Sequence, residues 1–335
     1  MISSLSIRNI VVAIICSFCV FSCSEEPKKK KNKETQGAMA SSVGNINNLS
    51  VVIDNELWKG NLGDTIRKYF GAEVPGLPQE EPLFSMRQMP PQAFSGFATK
   101  NRTFLKIEKG GKANFVLFKN KFATPQRGAV FVGKTDDEIA EQIRIHAEEV
   151  IKIFKKTETL EKQKRIRKSL EKIPSLKEKF GITLDIPTAY RIAKEEDKFF
   201  WIRKDIQNGS ANIMIYEMPL SAVKKDSNTI SHIIKMRDSI GASKIPTDEG
   251  GKFITEMAYA PYLFETELDK RFAFETKGIW EIKNKYMSGP FVNYSIKDEK
   301  NNRLLVIEGF IFAPSIYKRN NMFELEAIIK SIKFR

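Results

Sequence analysis

Two histidines and three cysteines make up the whole imidazole and thiol inventory of this 335-residue chain. His146 and His232 each fall on a helix-period face, where a lone histidine more often packs than ligates. Cys16, Cys19 and Cys23 all precede the globular part, which therefore has no disulfide framework, thiolate nucleophile or zinc knuckle. HExxH, GxSxG, the phosphate loop GxxxxGKS/T and GxGxxG are all missing, while Gly110-Gly111 and Gly250-Gly251 read as turns. No metal site and no cofactor is implied. Carboxylates remain. Glu80-Glu81, Asp136-Asp137 and Asp298-Glu299 could each contribute to an acid–base pair, as in glycosidases, whose two carboxyls stand roughly 5 to 10 Å apart. Each pair also has a plainer reading, as a loop, a helix start and a hairpin turn. Lys318 and Arg319 are the other candidates. They precede the final helix, whose N-terminus already carries about half a positive charge and free N–H donors. A visiting anion would relieve that convergence, with Arg319 as the bidentate partner. In the alternative, both side chains reach water or pair with an acid such as Glu308.

What must hold these residues begins with a targeting segment. Arg8 precedes an apolar run from Ile10 to Phe21, shorter than the roughly 20 residues of a spanning helix. Val20-Phe21-Ser22-Cys23 has the form of a lipobox, with cleavage before Cys23 and lipid attached to it. Cys16 and Cys19 follow Ile15 and Phe18, which fit the site less well. An ordinary secretory signal and an uncleaved anchor are the competing readings. Residues 1–22 are thus the expected signal peptide and 23–47 a polar, disordered tether. Lipid on Cys23 makes the membrane the first partner. The net charge of +14 is concentrated in the tether and between Lys152 and Lys179. Exported chains have no nucleic acid to meet, so an anionic envelope polymer or another envelope protein is the expected neighbour.

The globular part divides into an N-terminal lobe, 48–173, ending in a long basic helix, and a C-terminal lobe, 174–335. Leu49 to Ile53 is a strand, and Ile66, Tyr69 and Phe70 lie on a helix. VPGLPQEEP is a loop, and RTFLKIEKG, ANFVLFKN and GAVFVGK are strands. Thr135 and Glu138 announce a helix start. Its apolar stripe (Ile139, Ile143, His146, Val150, Phe154) fades into a basic stretch expected to run on as a solvent-exposed arm to about Leu170. Pro91, Ala93 and Phe94 align with Pro187, Ala189 and Tyr190, and Ala113-Asn114 with Ala211-Asn212. Internal duplication into two similar lobes is therefore an expectation, against chance likeness. Phe272, Phe274, Trp280 and Ile282 alternate with Glu275, Lys277 and Glu281, as in a half-buried strand. RLLVIEGFIFAP is apolar on both faces and should be central. Met322, Leu325, Ile329 and Ile332 place a last helix on the sheet, with Asn321 and Glu324 as a capping pair. The class is α+β, mainly antiparallel sheet covered by helices on one side.

ELWKGNLGDTIRKYF, VPGLPQEEPLF, MPPQAFSGF, GIWE, MSGPFV, LLVIEGFIFAP and YKRNNMFELEAIIKSIKF together resemble one family, the Bacteroidota envelope lipoproteins of domain of unknown function 4837. The resemblance extends over most of the mature chain and implies an envelope lipoprotein without an established activity or catalytic residue. Ser24 is not the aspartate that retains enterobacterial lipoproteins in the inner membrane, and Ser24-Glu25-Glu26 loosely resembles the acidic surface-export signal of Bacteroidota. Outer membrane is expected, with the leaflet open. The leading expectation is a non-enzymatic binding or assembly module. The alternative is a cell-wall glycan hydrolase using carboxylates such as Glu80 or Asp298.

Overall fold

The aliphatic strand expected after the tether is the first regular element. In the computed structural model, which describes residues 39–335, β1 spans Asn48–Val52. The signal segment with Cys23, and the tether as far as residue 38, lie outside the described residues. Next come α1 (Asn55–Lys59), α2 (Asn61–Phe70), β2 (Ser85–Met89), β3 (Thr103–Lys109), β4 (Asn114–Lys119) and β5 (Arg127–Gly133). The five strands are ordered β2-β1-β3-β5-β4. All pairs are parallel except β4 with β5, so this sheet departs from the antiparallel expectation. Alternation sends Leu49, Val51, Leu105, Ile107, Ala129 and Phe131 to one face, where they meet Leu62, Ile66 and Phe70 of α2.

The same face receives α3 (Asp136–Ile166). Its start is the one the sequence announces. The Thr135 hydroxyl accepts from Glu138 N at 3.2 Å, and the Glu138 carboxylate accepts from Lys134 N at 2.7 Å. Ile139, Ile143, Val150 and Phe154 then cover the sheet. The second half of α3 corrects the expectation of a solvent-exposed arm. Thr157, Glu158, Gln163 and Ile166 are buried, and Glu158 forms a fully buried pair with Arg102 at 2.7 Å. Lysine and arginine stems can lie along buried surface while their heads find partners or water. A basic run therefore need not mark a free face.

After α4 (Pro174–Phe180) and β6 (Ile182–Thr183) the chain builds the larger sheet. Its strands are β7 (Arg191–Glu195), β8 (Phe199–Ile206), β9 (Gly209–Pro219), β10 (Phe253–Thr255), β11 (Tyr262–Leu268), β12 (Arg271–Ile282), β13 (Ser288–Asp298) and β14 (Arg303–Phe312). The order is β10-β12-β13-β14-β9-β8-β7, with β11 also on β12, and every pairing is antiparallel. α5 (Thr229–Lys244) links β9 to β10, α6 (Arg319–Ile329) follows β14, and β15 (Lys333–Phe334) pairs with β6. β14 is central, as its two-sided apolar run requires. Leu305, Ile307 and Ile311 face Leu325, Ile328 and Ile329 of α6. Leu304, Val306 and Phe310 face Ile233 and Met236 of α5. Helices thus cover both faces of this sheet, not one. At Gly309 an added Cβ would stand 3.0 Å from Leu325 Cβ, so the missing side chain lets α6 settle closely onto the strands.

The α+β class holds, but the two sheets are not copies. β3 and β4, the strands aligned with β8 and β9, are separated by β5, whereas β8 and β9 form a hairpin. Pro91–Ala93 is a short 3-10 turn, and no helix follows Pro187. Short apolar strands after a proline look alike in sequence, while their choice of neighbour depends on non-local pairing. Residues Ala40–Arg335 nonetheless form one compact unit.

Candidate functional site

α5 covers the middle of one face of the large sheet and stops at Lys244. The cause is local: Ile245 precedes Pro246, and proline drives the preceding residue out of the helical region. Ile245 is extended, with φ −89° and ψ 116°. Beyond that point no helix among the described residues covers this face, and a cleft of ≈ 290 Å³ remains. Its walls come from five strands and two connections. β8 gives Trp201 and Arg203, β9 gives Ser210 and Asn212, β10 gives Phe253, β12 gives Trp280, and β14 gives Phe310 and Phe312. Residues 245–248 and the turn holding Lys285 and Met287 close the sides. Register explains the convergence: Arg203 lies opposite Asn212, and Asn212 opposite Phe310.

The aromatic wall is fixed rather than loose. Phe253 stacks on Trp280 with centroids 4.9 Å apart and tilts against Phe310 at 4.9 Å. Trp280 Nε1 donates to Ile311 O at 3.1 Å. Trp201 Nε1 donates to Asn212 Oδ1 at 3.1 Å, and Asn212 Nδ2 to Ser210 Oγ at 3.0 Å. Arg203 donates through Nη2 to Asp205 at 3.0 Å, while its Nε is buried with no partner. An unmet buried donor costs about 1–3 kcal/mol.

Behind this wall lies a buried ion pair. Arg237 of α5 stands over the Phe291 ring at 3.8 Å and the Phe253 ring at 5.0 Å. It donates to Thr255 Oγ1 at 2.9 Å and faces Glu308 at 3.0 Å, both charged side chains fully buried. Burial pushes the Glu308 carboxyl above the usual range, while Arg237 and the Asn293 amide pull it back. Glu308 therefore answers Arg237, not Lys318 or Arg319.

Those two residues are buried at the start of α6. Their backbone N–H groups donate to Glu81, Lys318 to Oε1 at 2.6 Å and Arg319 to Oε2 at 3.0 Å. The helix end does receive a negative group, but one from the loop 75–82 of the same chain. Asn321 and Glu324 do not cap it; Glu324 pairs with Lys162 and Lys204. Arg319 also donates to Pro82 O at 2.8 Å and Ser85 Oγ at 2.9 Å, and Lys318 Nζ to Ile316 O at 2.7 Å.

The carboxylate pairs of the sequence do not converge. Glu80 is exposed beside the capping Glu81, and Asp136 pairs with Lys109 at 2.8 Å. Asp298 is fully buried between Arg271 and Arg303. Burial raises its carboxyl, but hydrogen bonds from Asn301 and Arg303 hold it below the usual range. A pair missed in the sequence is Glu256 with Glu281. Partial burial, then the Glu256 hydrogen bond and charge, push the Glu281 carboxyl up. Glu281 alternates with Trp280 and Ile282, so it lies on the other face of β12, outside the cleft. His146 stacks on Phe115 at 4.1 Å, a packing role. Among the described residues no group of three or more His, Cys, Asp and Glu converges as a metal site.

Residues 169–331 match the model of a family described as Domain of unknown function (DUF4837). Residues 42–167 match a second, described as Domain of unknown function (DUF8532). The likeness to domain of unknown function 4837 thus holds for the C-terminal part, which contains the whole cleft, and not for most of the mature chain. ELWKGNLGDTIRKYF, VPGLPQEEPLF and MPPQAFSGF fall in the other region. No curated protein matches the chain.

Proposed function

We propose that this chain is a non-enzymatic binding module of the cell envelope, held at the outer membrane by lipid on Cys23, whose cleft takes a sugar ring of an envelope glycan. The observation that carries the reading is the cleft itself. A preformed wall of Trp201, Phe253, Trp280, Phe310 and Phe312 is set beside an amide, a hydroxyl and the Arg203 side chain. Flat apolar faces beside a few directional polar groups are what a small amphipathic ligand needs. Its ≈ 290 Å³ lies at the small end of ligand pockets, roughly 300–1,000 Å³, and suits one ring rather than a long chain.

The hydrolase alternative has less support. The cleft lining contributes one carboxylate, Asp248, where glycosidases set two about 5 to 10 Å apart across the substrate. Glu256 and Glu281 hydrogen-bond to each other, closer than that spacing.

The test is tryptophan fluorescence under titration with envelope glycan fragments. Two of the three tryptophans line the cleft, so Trp58→Phe removes the distant one. A saturable change that Trp201→Ala and Asn212→Ala abolish, with both variants still folded, is the expected result. An unchanged spectrum across the fragment panel would overturn the reading. The anchor is tested separately: Cys23→Ser should release the protein into the soluble fraction.

A further inference from the structure

The opposite face of the large sheet contains a second, chemically different cavity. It measures ≈ 210 Å³ and lies where the loop 74–83, α3, α6 and β12 meet. Four basic side chains line it, Lys155, Lys277, Arg319 and Lys330, with one acid, Glu326. The loop reaches β12 closely at Gly76, which adopts φ +80°; a Cβ there would stand 2.9 Å from Lys277 Cβ.

Two of the four cations have carboxylate partners. Lys277 bonds Glu326 at 2.8 Å and Glu275 at 3.0 Å. Lys330 bonds Glu326 at 3.1 Å. The Arg319 guanidinium donates to neutral groups, Asn320 Oδ1 at 3.2 Å, Pro82 O at 2.8 Å and Ser85 Oγ at 2.9 Å, with Glu81 only at its backbone N–H. Burial opposes the charge on Glu326, but Lys277 and Lys330 hold its carboxyl at about 2. Lys155 differs from both. Its amine donates to two neutral acceptors, Leu83 O at 2.8 Å and Asn47 Oδ1 at 3.3 Å. Glu158, one turn along α3, is already taken by Arg102.

We propose that this cavity binds a small oxyanion, a carboxylate or a phosphate group, with Lys155 as its principal cation and Lys330 and Arg319 beside it. The site is independent of the aromatic cleft and of the N-terminus of α6, which Glu81 fills. Lys155 and Arg319 are the lining cations whose side chains, among the described residues, meet only neutral acceptors, and of the two Lys155 has the fewer. Lys330 is 30% exposed and gives the cavity a side toward solvent.

Charged groups facing Lys155 come from every packed element: Glu158 on α3, Arg319 and Glu326 on α6, and Lys277 on β12. Burial pulls its ammonium down to about 7, and Arg319 and Lys277 act in the same direction against Glu326 and Glu158. A bound anion would favour the charged form, so binding above that pH should draw in a proton.

Sulfate is the probe, because it does not titrate near neutrality; methyl phosphate and acetate then separate the two ligand sources. Calorimetry in buffers of different ionisation enthalpy should show proton uptake near pH 8. Affinity should weaken about tenfold or more between roughly pH 6.5 and pH 9. Lys155→Met replaces a buried charge with an apolar side chain of similar length and should fold. It should lose the proton uptake and about tenfold or more of the affinity, whereas the more exposed Lys330→Gln should weaken binding less. Equal responses of wild type and Lys155→Met, or no response to any of the three anions at constant ionic strength, would overturn the proposal.

Discussion

β12 presents two unlike surfaces from one run of residues. Phe274, Thr276, Trp280 and Ile282 point toward α5 and the aromatic cleft, while Ala273, Glu275 and Lys277 point toward α6 and the basic cavity. The first surface is an apolar wall with the buried charges Arg237 and Glu308 behind its aromatic rings and Arg203, Asp248 and Lys285 at its edge. The second is a mesh of lysines and glutamates joined to the N-terminal part of the chain through Glu81 and Lys155. The difference shows that the charged residues of an alternating strand need not face water. Here they are the side on which another part of the chain docks.

The largest effect should come from breaking the Arg237–Glu308 pair. Glu308→Ala leaves Arg237 fully buried with only the partly exposed Asp238, at 3.2 Å, as a charged partner and should destabilise by about 3–5 kcal/mol in urea unfolding. Replacing both, as Arg237→Met with Glu308→Leu, should recover most of that loss. If the single variant costs no more than the double, the pair is not the support of the wall. Leu325→Ala tests the opposite face, opening a cavity where α6 meets Gly309, at about 2–5 kcal/mol. A value under about 1 kcal/mol would mean that the mesh, rather than apolar packing, holds α6 to the sheet.

A smaller effect is expected where the two parts of the chain meet. Glu81→Ala removes the carboxylate from the first N–H groups of α6 and should cost about 1–2 kcal/mol, near the upper end of capping effects. Glu81→Gln should recover part of it, because its amide oxygen still accepts. The smallest expected change is at Glu281. Its carboxyl is raised in the folded state, so its stabilising contribution is full below the unfolded value of about 4.3 and fades as pH climbs through the folded one. Glu281→Gln should match wild type near pH 4 and melt higher near pH 7. A constant difference between the two melting temperatures across that range would show that Glu256 does not act on it.

Much of the frame was legible in the chain itself. Thr135 and Glu138 started a helix because their capping bonds are local. β14 was central because a strand apolar on both faces must be covered twice. The exclusion of thiol chemistry from the globular part follows from where the three cysteines stand. Trp280, Phe310 and Phe312 read as core, correctly for packing, yet nothing in their spacing says that α5 ends before covering them. Pro246 is the one signal that could have suggested it.

What tertiary structure alone decided is which distant groups meet. Lys318 and Arg319 were recognisable as positive charge at a helix start that needed an anion, because that electrostatic demand is local. The carboxylate that answers it is Glu81, some 240 residues earlier in the chain, and no periodicity encodes that distance. The same holds for Arg102 with Glu158, for Arg237 with Glu308, and for the neighbours of β3. Helix caps and strand alternation are set by contacts within a few residues, so composition and spacing reveal them. Ion pairs and strand order are set by which surfaces bury the most once the whole chain collapses.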